Sequence, residues 1–158
     1  MIYKLVFNDL ESLWKYVQKE IKEVMKDEVV EAIKEVEQET IQEVVLDTYT
    51  PSYYDRRSEE SNGEEGLMSR DNMVADYVET RDSIQVNITN DTRGNSDYPN
   101  STSGYIDEMV EYGEYTWKNS EIYKKKLPRP FTKITQKKID ESDIVIKTIK
   151  NNIDFEIK

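Results

Sequence analysis

The chain has 158 residues, 33 of them acidic and 22 basic, for a net charge of −11; that length suits one domain, 1–158, with a moderate core. With no cysteine and no histidine, disulfides, thiol chemistry, the commonest general base and the commonest transition-metal ligand are excluded. The acidic balance argues against a nucleic-acid-binding surface.

Ile2 to Phe7 (IYKLVF) is a short β-type run. It has no signal-peptide pattern, and no apolar span in the chain is long enough for a membrane helix, so a cytosolic protein without a membrane partner is expected. From Asn8 to Thr48 the chain is helix former without Gly or Pro. Asn8 is the expected N-cap, with Glu11 completing a capping box, and Pro51 closes the pattern. Leu10, Leu13, Trp14, Val17, Ile21 and Val24 share one arc. Val29, Ala32, Ile33, Val36, Ile41, Val44 and Val45 share another, rotated by roughly 150°. A break at Lys26-Asp27-Glu28 reconciles the two, with Asp27 capping a second helix.

On that second helix Asp27, Glu31, Glu35, Glu39, Glu43 and Asp47 form an acidic ladder at four-residue spacing. Each like-charge pair costs about 0.2–0.5 kcal/mol. The ladder is a solvated face, a contact for a cationic partner, or a wall that repels something it should not bind.

Residues 50–57 (TPSYYDRR) form a stiff turn in which Arg56 and Arg57 offer fork-shaped donors. SEESNGEEG, residues 58–66, is a mobile loop by composition. Met73–Glu79 and Ile84–Asn90 read as a β-hairpin, with Ile84, Val86 and Ile88 alternating against Gln85, Asn87 and Thr89. Residues 91–104 form a second long mobile loop. Tyr105–Tyr112 is a short amphipathic helix with Ile106, Met109 and Val110 inward and Gly113 as its stop. Pro128-Arg129-Pro130-Phe131 leads rigidly into a C-terminal helical region that resumes at Asp143 through Ile149, and Ile153, Phe155 and Ile157 suggest a last strand. The fold class is α+β. It comprises an N-terminal strand, a long bipartite helix pair on a small, mostly antiparallel sheet, a short central helix and a C-terminal helix.

Carboxylates are the only plentiful catalytic groups, and a glycosidase or Mg²⁺ nuclease can use them alone. With 33 acids, chance pairs carry no signal, so no catalytic residue, cofactor or metal is expected. Asp91, Arg93, Asn95 and Asp97 alternate like a calcium loop but fail it, since Arg93 holds a ligand position and Ser96 replaces the turn glycine.

The order of motifs resembles the head–tail joining proteins of tailed bacteriophages, the tail-completion or tail-terminator group of the neck. The residues that carry the likeness are Pro51; Tyr54, Arg56 and Arg57; Gly66 and Leu67; Ile106, Glu111, Tyr112 and Gly113; and Pro128, Arg129, Pro130 and Phe131. The resemblance implies a virion protein, assembled in the bacterial cytoplasm. It would form a ring of six subunits between a head-completion (connector) protein and the tail tube protein, with DNA only as cargo in the channel. Interface candidates are Tyr54, Arg56, Arg57, Arg129, the ladder residues Glu31, Glu35, Glu39 and Glu43, and the basic run Lys124, Lys125 and Lys126. The ladder would either meet the basic C-terminal end of an adjacent subunit or line the channel. The competing readings are a non-viral interaction module using the acidic helices and a carboxylate-dependent hydrolase or nuclease.

Overall fold

The computed structural model describes residues 7, 9–48, 65–93, 106–113 and 128–153. The expected N-terminal strand (apart from Phe7), the turn at 50–57, nearly all of the loops at 58–66 and 91–104, and the last strand beyond Ile153 lie outside those residues.

Helix α1 spans Leu10–Lys26. Its N-cap is Asp9, not Asn8: Asp9 Oδ1 accepts from the Ser12 backbone N–H at 2.7 Å and Oδ2 from the Ser12 hydroxyl at 3.1 Å. The cap falls one residue later than expected, where the carboxylate reaches the third helical N–H, and Ser12 donates both bonds to it, with no reciprocal bond from Glu11 among the described residues. Those bonds hold the Asp9 carboxyl below its ordinary pKa. Helix α2, Glu28–Ile41, follows after a single residue. The break does fall at Asp27, but the expected side-chain cap is absent. Instead the Asp27 N–H donates to Glu23 O and its carbonyl accepts from Glu31 N–H, both at 3.1 Å. The Asp27 backbone thus closes the last turn of α1 and opens the first turn of α2. A π-helical turn, Gln42–Leu46, ends the stretch.

Two 3₁₀ turns, Gly66–Met68 and Arg70–Asn72, lead into the hairpin. Gly66, the residue expected to end the loop, and Leu67 are buried. Strands β1 (Met73–Glu79) and β2 (Ile84–Asn90) pair antiparallel from Met73↔Asn90 to Glu79↔Ile84, with the expected bounds. Ile84, Val86 and Ile88 are half-buried and their alternates exposed. Helix α3, Ile106–Tyr112, stops at Gly113, whose φ of 67° is the left-handed conformation that glycine tolerates best. Helix α4 is Phe131–Glu141 and α5 is Ile144–Asn152. Both pack on α2, and α5 also meets α1. These helices with one small antiparallel sheet form an α+β fold.

Ile41, Val45, Leu46, Leu67, Met73, Val110 and Phe131 form one buried cluster drawn from six elements. Phe131, Ile41 and Val29 are fully buried. The apolar arc of α1 is most deeply buried towards the bend. Val24 is buried and Val17 and Ile21 half-buried, whereas Leu10 is 83% and Trp14 60% exposed. On α2 the buried face also takes Val30, Glu37 and Thr40, which the apolar arc alone does not predict. Glu37 and Thr40 are admitted because each finds a hydrogen-bond partner.

Candidate functional site

Three arrangements of polar side chains stand out. The first is a buried knot where α2 crosses the foot of the hairpin. Asn90 Nδ2 donates to Glu37 Oε1 and to Leu67 O, each at 2.9 Å. The Thr92 hydroxyl bridges Asn90 Oδ1 at 2.6 Å and Gly66 O at 3.1 Å. Burial raises the Glu37 pKa, with help from the charges of Asp107 and Glu111 and against the Asn90 bond. Asp107 on α3 is pushed up to about 6, first by burial and then by the Glu108 and Asp91 charges, against backbone hydrogen bonds. Asp91 Oδ1 and Asp107 Oδ1 are buried without a hydrogen bond; Asp91 Oδ1 has only an ionic contact to Arg93 Nε at 3.6 Å. Glu37 and Asp107 thus lie where burial disfavours the charged form of each carboxyl. Among the described residues, no group of three or more acidic side chains is placed to hold a metal ion.

The second arrangement joins two sequence motifs. Glu111 reaches from α3 to the start of α4, accepting from Thr132 N–H at 2.9 Å and Lys133 N–H at 3.4 Å. The Arg129 N–H donates to Val110 O at 2.9 Å. The Glu-Tyr-Gly end of α3 and the Pro-Arg-Pro-Phe lead-in are therefore one clasp, closed beneath by Phe131 and Val110 in the core. A carboxylate at a helix start satisfies otherwise unpaired N–H groups and complements the helix dipole. Arg129, an interface candidate by sequence, is buried in the single chain, with a relative exposure of 8%.

The third is the outer charge. Lys22 and Lys26 on α1 both reach Glu79 at the hairpin tip, at 2.9 Å each. Lys22 also donates to Thr80 O at 2.9 Å, and the Tyr77 hydroxyl donates to Lys26 O at 3.1 Å. The two ammonium groups hold the Glu79 carboxyl down at about 2. All six ladder carboxylates of α2 are on exposed residues. Glu31 meets Arg70 at 3.0 Å and Lys34 at 3.3 Å, and Glu43 meets Lys138 of α4 at 2.7 Å. One end of the ladder thus meets the basic C-terminal region within the same chain, which weakens the case for its reaching a neighbour's. Glu35 and Glu39 have no ion-pair or hydrogen-bond partner among the described residues. Tyr54, Arg56, Arg57, Lys124, Lys125 and Lys126 lie outside those residues. The knot and the clasp were not read from the sequence. The only signal for them was Glu111, two residues before a glycine stop and ahead of a proline-led helix.

None of the described helices is long and apolar enough to cross a membrane. The model of a family described as YomN matches residues 9–154, and the chain belongs to that family, YomN being a phage- or prophage-derived protein of Bacillus. No curated protein and no solved structure matches the chain.

Proposed function

We propose, with that membership as the premise, that the chain is a structural protein of the phage neck, a tail-completion or tail-terminator subunit. It acts as a ring of six copies that joins the head connector to the tail tube in the virion, with DNA passing through as cargo. It carries out no catalysis and needs no cofactor. Its partners are copies of itself, a head-completion protein and the tail tube protein.

The observation that carries the reading is the clasp. Two of the motifs whose order carries the neck resemblance are separate in the chain, yet Glu111 and Arg129 join them into one hydrogen-bonded unit over Phe131. The rest of the described chain offers outward charge on rigid helices, which suits contact between proteins.

Disrupting the gene in its phage or prophage tests the reading. Induced cells should then yield DNA-filled heads and tails that remain unjoined under the electron microscope, with joining restored by the gene in trans. Complete infectious virions from the disrupted strain would overturn it.

A further inference from the structure

We infer that α3 is a catch on the foot of the hairpin, held closed by a proton on Asp107 and released when that carboxyl ionises. The inference stands on the single chain and does not depend on the ring reading.

Thr92, two residues beyond β2, accepts at its carbonyl from the Ile106 N–H at 2.8 Å, which stitches the end of the hairpin to the first residue of α3. Asp91 precedes Thr92 and Asp107 follows Ile106. Each of these two aspartates holds an Oδ1 atom out of water with no hydrogen bond to it. A carboxylate oxygen in that position has lost its hydration without gaining a donor, which is costly while the group is charged.

The surrounding charges do not relieve Asp107. Asp91 and Glu108 oppose its ionisation, and Asp107 and Glu111 in turn oppose that of Glu37 on α2. The cations of the neighbouring segments serve other groups. Lys34 acts on Glu37, Arg93 meets Asp91 at 3.6 Å, Arg70 meets Glu31, and Lys138 meets Glu43 of the π-helical turn. Asp107 makes no ion pair among the described residues. The first turn of a helix ordinarily favours a carboxylate through its free N–H groups. Here burial outweighs them, and the Asp107 carboxyl is pushed up to about 6.

Little else holds the catch. Helix α3 has seven residues and places Val110 in the core, with Ile106 packed partly against it. Its far end is tied by Arg129 N–H to Val110 O and by Glu111 to the start of α4. A helix this short does not persist once undocked, so release exposes its amides while α1, α2 and the hairpin stay folded. Protonated Asp107 favours the docked state. The hold is therefore full below the ordinary value of 3.8, weakens as pH rises through about 6 and is constant above that.

Hydrogen exchange of the full chain, followed by mass spectrometry at about pH 5 and about pH 7.5 and corrected for intrinsic rates, tests this. If Asp107 returns to 3.8 on release, the open population of α3 should be about tenfold larger at the higher pH. Because the opening is local, α3 amides should exchange ahead of those of α2, β1 and β2 at both pH values and hardly respond to low urea. Asp107→Asn keeps the shape without the charge and should remove most of the pH difference. Equal opening of α3 at the two pH values in the wild type, an arm that needs no variant, would overturn the inference. So would α3 amides that exchange only in step with α2 and the hairpin, or a tenfold difference that survives in Asp107→Asn.

Discussion

At the residue scale, the carboxyls at the foot of the hairpin and the one at its tip give opposite pH dependences. Asp107 is raised from 3.8 to about 6, and Glu37 is raised as well. A carboxyl whose folded pKa lies above its unfolded value favours the native state while protonated. Native stability therefore falls as pH rises from near 4 towards about 6 and levels off above that. Glu79 works the other way: lowered from 4.5 to about 2, it stabilises the fold above its unfolded value and ceases to do so as pH falls through about 2. Urea midpoints measured across this range should show both limbs. Asp107→Asn should flatten the upper limb and Glu79→Gln the lower. A wild-type midpoint that rises between pH 4 and 6 would contradict the burial of the first group. Glu111→Ala removes the acceptor for two N–H groups at the start of α4 and should cost about 1 kcal/mol, read as a drop in thermal midpoint.

At the element scale, a two-stranded hairpin is marginal by itself. Here its tip is tied to α1 through Glu79 and Tyr77, and its foot to α2 through Asn90. Asn90→Ala would leave the buried Glu37 without its donor, a loss of about 1–3 kcal/mol. Glu79→Gln disturbs only an exposed tie. Hydrogen exchange should therefore quicken in the β1 and β2 amides in both variants, but global stability should fall substantially only for Asn90→Ala. Equal global losses would mean that the tip anchors the hairpin as firmly as the foot. Phe131 is fully buried where α2, α3, α4 and β1 meet. Phe131→Ala should cost about 3–5 kcal/mol, measured by chemical denaturation.

At the scale of the whole molecule, the charge separates into a lysine arc on α1 and a carboxylate ladder on α2, with the bend at Asp27 between them. The ladder contributes little to the stability of the single chain, because its residues are exposed and exposed charges are well screened. Charge reversal at Glu35 and Glu39 should leave the monomer's unfolding free energy within about 0.5 kcal/mol and act on association alone. The absence of His and Cys sets a further expectation. Thermal melting should be the same in EDTA as in millimolar Ca²⁺ or Mg²⁺, and a cation-dependent rise of several degrees would reveal a metal site.

What the amino-acid sequence determined by itself was whatever depends on near neighbours in the chain. The hairpin bounds, its alternation, the bend at Asp27 and the glycine stop at 113 all follow from local periodicity and backbone freedom. The N-cap was misplaced by one residue because two adjacent polar side chains could each reach an early N–H, and only the actual chain direction chose Asp9. The burial of Glu37 and Arg129 could be decided only by the tertiary structure. A polar side chain is admitted to the interior when a partner from a distant segment meets it, and Asn90 lies 53 residues from Glu37. The same holds for Glu111, whose role exists only once α3 and α4 meet. It holds also for Leu10 and Trp14, which share an apolar arc with Val24 but lie beyond the reach of the core that covers it.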